Sequence, residues 1–141
     1  MSHYLDTSVL VPLLRTEPFT PKVIAWLAAE PDDLVVSAYA NGEIFSAFAR
    51  LVRANELSPE NADERLGYFD EWLVGSARTI DTEAHDIAEG GRIVRRFEFG
   101  LRLPDAIHIA AARARVMTLV TLDRPMAKAA RELGLQVVEP A

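Results

Sequence analysis

A chain of 141 residues, half of them hydrophobic and none of them cysteine, has room for one compact domain with a real core and excludes disulfides and thiolate metal sites. Its net charge of −6 argues against a module that holds nucleic acid chiefly by neutralising phosphates, because such modules are usually basic; it argues less against a metal nuclease, whose own site is acidic until cations fill it. The opening Met-Ser-His-Tyr-Leu-Asp has no basic segment ahead of an apolar run, and no apolar stretch is long enough to span a bilayer, so the expectation is no signal peptide, no membrane segment and a cytoplasmic setting.

In chain order, His3 to Leu5 predicts a first strand, which Asp6-Thr7-Ser8 breaks. Ser8 is the expected N-cap of a short helix running through Leu14. Pro12 is expected near the start of that helix, since an interior proline removes a hydrogen bond and breaks the turn. Thr20-Pro21 predicts a cap followed by proline at the first helical position, opening a helix to about Ala29. Leu34 to Ser37 is a second strand. From about Ala38 to Asn55, Ile44, Phe45, Phe48, Leu51 and Val52 share one face of a helix. Ser58-Pro59 starts a helix to about Gly75, Ala77 to Ile80 forms a third strand, and Thr82 caps a helix to about Phe97.

The segment from Pro104 to Arg115 is apolar on nearly every side, which predicts a buried helix. Thr118 to Leu122 is a fourth strand, continuously apolar as parallel strands tend to be. A helix from Arg124 to Leu133 stops at Gly134, and Gln136 to Val138 is a last strand. Strands separated by helices predict an α/β fold with a largely parallel sheet of four to five strands flanked by helices.

In open parallel sheets, ligands bind beyond the carboxyl ends of the strands. Asp6 is expected directly after the first strand and Asp123 directly after the fourth, with Glu43 early in the helix after the second and Asp105 at the second position of the buried helix. If these strands are neighbours, four carboxylates meet at one edge, where a hard cation such as magnesium would be held by one or two of them together with water. Each residue also has a structural role open to it. Asp6 and Asp123 fit N-caps, Glu43 fits a solvated glutamate, and Asp105 answers the helix dipole or pairs with an arginine. His108, one turn after Asp105, fits a packed structural histidine. Arg92, Arg95, Arg96 and Arg102 fit either phosphate contacts near Asp105 or a solvated helix face. Lys22 and Lys128 are the only lysines.

Four segments carry a family resemblance. They are Tyr4-Leu5-Asp6-Thr7-Ser8-Val9-Leu10; Val35-Val36-Ser37 with Asn41-Gly42-Glu43-Ile44; Leu103-Pro104-Asp105-Ala106-Ile107-His108-Ile109-Ala110-Ala111-Ala112; and Leu119-Val120-Thr121-Leu122-Asp123-Arg124. In order and spacing they resemble the motifs of PIN domains over essentially the whole chain, residues 1–141, and the chain's length resembles the VapC-type toxins of toxin–antitoxin pairs. The resemblance implies a three-layer α/β fold and an endoribonuclease dependent on Mg2+, or on Mn2+ in its place. It implies Asp6, Glu43, Asp105 and Asp123 as the acidic quartet, with Ser8 and Thr121 as supporting polar residues. It also implies a homodimer and a small cognate antitoxin that blocks the site.

The expected reaction is hydrolysis of RNA phosphodiesters by metal-activated water, leaving a 5′-phosphate and a 3′-hydroxyl. A phosphatase of the haloacid-dehalogenase kind needs a second aspartate two residues after Asp6, where Ser8 stands. A receiver domain needs an acidic pair there, and Thr7 does not supply it. The alternative outside enzymology is a catalytically silent PIN-like scaffold for RNA or protein.

Overall fold

The computed structural model describes all residues 1–141. Five strands, β1 (His3–Leu5), β2 (Leu34–Ser37), β3 (Arg78–Ile80), β4 (Thr118–Val120) and β5 (Val137–Val138), form one sheet in the order β3-β2-β1-β4-β5. Every pairing is parallel. Seven α-helices cover it: α1 (Thr7–Leu14), α2 (Thr20–Ala28), α3 (Ala38–Arg53), α4 (Pro59–Ser76), α5 (Ala84–Val94), α6 (Leu103–Ala114) and α7 (Arg124–Glu132). A single 3-10 turn, Phe97–Phe99, follows α5. No helix is long and apolar enough to cross a membrane.

The period-2 pattern of the strands divides the core into two layers. Tyr4, Val35 and Leu119 pack with Ile93, Ile109, Met126 and the alanines of α6 and α7. Their neighbours Leu5, Val36 and Val120 pack with Val9, Val23, Ile44, Phe48 and Phe69 of α1 to α4. The chain first builds outward from β1 through β2 to β3, then crosses to β4 and β5 on the other side. The connections therefore reverse direction between β1 and β4, where the crevice of an open α/β sheet lies.

Several helix ends differ from expectation, each for a local reason. Asp6, not Ser8, is the N-cap of α1. Pro12 sits in the last turn of this two-turn helix, where its missing N–H removes one bond only. Phe19 rather than Thr20 caps α2; the Thr20 hydroxyl instead donates to the Pro12 carbonyl and accepts from Glu17 N–H, both at 2.8 Å. Phe45 is exposed, because nothing packs over that edge of the α3 stripe. Glu83 caps α5, with Asp86 reaching back to its N–H at 2.9 Å, while the Thr82 hydroxyl accepts from Tyr39 N–H. Helix α6 starts one residue early, so Pro104 is second and Asp105 third. Strand β4 ends at Val120 because Leu122 N–H leaves the ladder for the Ser8 hydroxyl at 2.9 Å. Asp123 thus stands three residues beyond the strand, not directly after it.

Other signals hold. Ser58 caps α4 by accepting from Asn61 N–H. Gly134, at φ +89°, closes α7 with Leu135 N–H on the Ala130 carbonyl and Gly134 N–H on that of Arg131. Helix α5 lies so close to α6 that a Cβ on Gly90 would stand 3.2 Å from the Ile107 nitrogen. That approach fixes the start of α6, and with it Asp105.

Buried Asp86 accepts two bonds from the Arg115 guanidinium, at 2.9 and 3.0 Å. Burial pushes its carboxyl up, but the Arg115 hydrogen bonds and the Glu83 backbone outweigh this, and it ends below the ordinary value of 3.8. A depressed carboxyl stabilises the fold fully above its unfolded value, and that contribution is lost as pH falls through the folded one. Asp86→Ala should cost about 2–4 kcal/mol at neutral pH, measured by urea denaturation, with the gap to wild type narrowing as the pH drops below 3.8. Val116, exposed and at φ +54°, holds a β-branched side chain in the left-handed region. Val116→Gly should raise stability by about 1 kcal/mol in the same assay.

Candidate functional site

Asp6 follows β1 at the carboxyl edge and is 2 % exposed. Its two oxygens accept from two hydroxyls: Oδ1 from Ser8 at 2.6 Å and Oδ2 from Thr121 at 2.7 Å. Thr121 comes from the far side of the crevice, and its Oγ1 also accepts from Asp123 N–H at 3.0 Å. Ser8 and Thr121 therefore tie the end of β1 to the segment leaving β4. Burial holds the Asp6 carboxyl above its ordinary value; His108 and the two hydroxyls act against the rise, and Asp123 adds to it. No cation pairs with Asp6.

Asp123 is the N-cap of α7, its Oδ1 accepting from Met126 N–H at 3.0 Å. The capping role open to it from sequence is thus real, and it occupies one oxygen only. Asp105, in the first turn of α6, is partly buried and has no side-chain hydrogen bond or ion pair in the chain. Burial raises its carboxyl above the ordinary value, and the charges of Asp123 and Glu43 add to that, against Arg102 and His108. A carboxylate placed this way costs free energy until a cation or a proton arrives.

Glu43, a turn and a half into α3, is not the solvated glutamate that periodicity allowed. Its Oε1 accepts from Thr7 Oγ1 at 2.7 Å and from His108 Nε2 at 2.5 Å, while Oε2 has no partner in the chain. Burial pushes the Glu43 carboxyl up, but the His108 and Thr7 hydrogen bonds, with Arg102 nearby, bring it below the ordinary value. His108 is buried and also meets the Tyr4 hydroxyl through Nδ1 at 2.7 Å; Tyr4 in turn meets Ser37 at 2.8 Å. A carboxylate at Glu43 accepts from the Nε2 proton, and the Tyr4 hydroxyl links Nδ1 to the Ser37 hydroxyl. The Ser37 oxygen accepts from Ala40 N–H as the cap of α3, which closes the chain of bonds.

The sequence pointed to His108 as structural and near Asp105; it faces Glu43 instead. Thr7, Tyr4 and Ser37 were missed as partners. The available signal was His108 as the one polar residue in the buried run Ala106 to Ala112 of α6, where it must find partners of its own.

Of the four arginines, Arg102 is the one whose charge acts on Glu43 and Asp105. Arg92 pairs with Glu89 in the same helix. Arg96 pairs with Glu98 at 3.0 Å and lies over the Phe99 ring, and Arg95 is exposed.

No three acidic or histidine side chains stand close enough to enclose an ion in their present rotamers. The donor set nonetheless fits a hard cation. It is all oxygen, includes free carboxylate oxygens on Asp105 and Asp123, and suits an ion that takes one or two carboxylates and keeps its water.

The PIN domain model matches residues 3–132. Among curated proteins, the chain is 29% identical to "Ribonuclease VapC47" of Mycobacterium tuberculosis, covering 97% of this chain and 96% of that one. It is 30% identical to "Ribonuclease VapC46" of the same species, covering 98% and 97%. Among solved structures, Mycobacterium tuberculosis VapC20, described as a sarcin-ricin loop cleaving toxin, superposes with a TM-score of 0.74 at 19% identity, covering 99% and 100%. A toxin–antitoxin complex from Klebsiella pneumoniae gives 0.66 at 20% identity, covering 99% and 98%. With the parallel five-stranded sheet and the family model spanning nearly its full length, the chain belongs to the PIN domain family.

Proposed function

We propose that the chain is a metal-dependent endoribonuclease acting as the toxin of a toxin–antitoxin pair, with residues 1–141 forming one nuclease domain. Asp6, Glu43, Asp105 and Asp123 are its acidic site, and Mg2+ is the resident ion, with Mn2+ able to replace it. The observation that carries this reading is the unpaired, partly buried carboxylate of Asp105, which feels the charges of Asp123 and Glu43, together with buried Asp6, which feels that of Asp123, with no cation of the chain bonded to Asp105 or Asp6. The curated relatives named as ribonucleases support the reaction class. The toxin–antitoxin complex of the same fold supports a cognate antitoxin as partner; in this reading the antitoxin is small and covers the acidic edge. Assembly as a homodimer and a cytoplasmic setting belong to the same reading.

Asp6, Asp105 and Asp123 are the residues that would hold the ion, which would keep part of its water. When bound, the ion lowers the charge on the phosphodiester and favours ionisation of water. Ser8 and Thr121 keep both Asp6 oxygens in place. Glu43, ionised and fixed through Oε1, offers Oε2 to the attacking water and orients it. The new bond joins the water oxygen to phosphorus as the water gives up a proton to solvent, the bond from phosphorus to the 3′ oxygen breaks, and that oxygen takes up a proton from solvent. No side chain attacks, so no covalent intermediate forms. The products carry a 5′-phosphate and a 3′-hydroxyl.

Asp6→Asn and Asp105→Asn should each lower RNA cleavage at least 100-fold while the fold, followed by circular dichroism, persists. Ends bearing 2′,3′-cyclic phosphate, read by end-specific ligation and sequencing, would rule out the mechanism. Millimolar Mg2+ should raise the melting temperature of the wild-type chain, and the rise should shrink in Asp105→Asn. His108→Ala removes the bond that fixes Glu43, and should lower kcat roughly 10- to 100-fold with KM little changed. An equal change in kcat for His108→Ala in a Glu43→Ala background would show that the two act separately.

A further inference from the structure

A second charged feature lies on the same carboxyl edge, beyond β4 and β5. A cleft of about 650 Å³ is lined by Phe19 and Lys22 at the start of α2, Leu122 and Arg124 on either side of Asp123, and Lys128 and Arg131 along α7, with Glu139, Pro140 and Ala141 closing its remaining side. Both lysines of the chain meet here, although 106 positions apart in sequence, in a protein of net charge −6. Arg131 is paired with Glu139 at 2.7 Å. Lys22, Arg124 and Lys128 are exposed and make no ion pair. Arg124 and Lys128 stand one helical turn apart, on one face of α7. Phe19, 45 % exposed, lies under the Lys22 ammonium, 5.3 Å from its ring centre.

We infer that this cleft binds the backbone of single-stranded RNA beside the acidic site, with Lys22, Arg124 and Lys128 taking successive phosphates and Phe19 stacking a base. The inference rests on the nuclease reading above and supplies what the acidic site lacks. A strand whose reacting phosphate lies among carboxylates is repelled by them until a cation is bound, and needs positive charge on either side to be held. Arg124 follows Asp123 directly, so a strand leaving the acidic site on the β4 side passes this cleft first. A basic groove with an exposed aromatic ring is the usual platform for unpaired bases, and the ring accepts any base because every base has a π-face. Arg92 and Arg96, by contrast, already have glutamate partners.

The test compares the full chain with Lys22→Gln/Lys128→Gln and, as a control of equal charge change, Arg50→Gln/Arg53→Gln at the end of α3. All are made in the Asp105→Asn background so that RNA stays whole. Binding of a fluorescent, mixed-sequence single-stranded RNA 20-mer is followed by anisotropy across salt concentrations. The cleft variant should bind roughly tenfold more weakly at low salt, with the salt slope reduced by roughly 0.7 for each phosphate that is no longer neutralised. The arginine control should match its parent. Phe19→Ala should weaken binding at least about fivefold with the salt slope unchanged. Equal weakening in both double variants, or none in the cleft variant, would overturn the inference. A polyaspartate peptide of equal charge that displaced the RNA equally well would overturn it in favour of an acidic protein partner. The two readings fail separately. Cleavage by the wild-type chain with unaltered binding in the cleft variant refutes the cleft alone; cleft-dependent binding by a chain that cuts no RNA supports the cleft and refutes the nuclease.

Discussion

The Asp6 carboxylate, buried between the Ser8 and Thr121 hydroxyls, is the interaction on which the rest of the site depends. It joins β1 to the segment leaving β4 at the place where the sheet's connections reverse. Two further bonds follow from it. Thr121, turned toward Asp6, accepts from Asp123 N–H and so sets the start of α7; Ser8, turned the same way, accepts from Leu122 N–H and ends the β4 ladder. The hydroxyls satisfy the carboxylate's oxygens without neutralising its charge. No positive charge of the chain is bonded to the carboxylate, so no ion pair within the chain answers the burial that raises its pKa.

A second network holds the opposite wall. Ser37, Tyr4, His108 and Glu43 run from the cap of α3 through the core to the edge of the crevice. Each member comes from a different element, so the network records the relative placement of β1, β2, α3 and α6. Helix α6 is itself positioned by the close approach at Gly90 and by the Asp86–Arg115 pair at its far end. Stability and site geometry are thus linked. The ion pair that anchors the end of α6 lies away from the carboxylates, yet it holds the helix that carries Asp105 and His108.

The charge distribution also makes sense of an acidic protein acting on an acidic polymer. Negative charge is concentrated at the crevice, where a cation can answer it. The unpaired positive charges of Lys22, Arg124 and Lys128 border that crevice on the β4 side, and Arg102 stands on the α6 side. Net charge alone would have hidden this arrangement, since it sums over groups that never meet.

The sequence by itself determined the elements and their kind. Alternation in short apolar runs and 3.6-residue periodicity report local geometry, so all five strands and all seven helices were legible, as were the Ser58 cap and the Gly134 stop. Local chemistry placed Asp6, Asp105 and Asp123 at element ends, because strand and helix boundaries are written in it, whereas Glu43, inside α3, joined them only through the motif resemblance. Only the tertiary structure decided which of two available partners each polar group took. Ser8 gave up the cap for Asp6, Thr20 turned to Pro12 and Glu17, and Thr82 went to Tyr39. It also decided that Glu43 is bonded through His108, 65 residues away, and that two lone lysines share one cleft. The physical reason is the range of the interactions: propensity and periodicity act within a turn or two of chain, whereas a hydrogen bond or an electrostatic field acts between whatever groups the fold brings together.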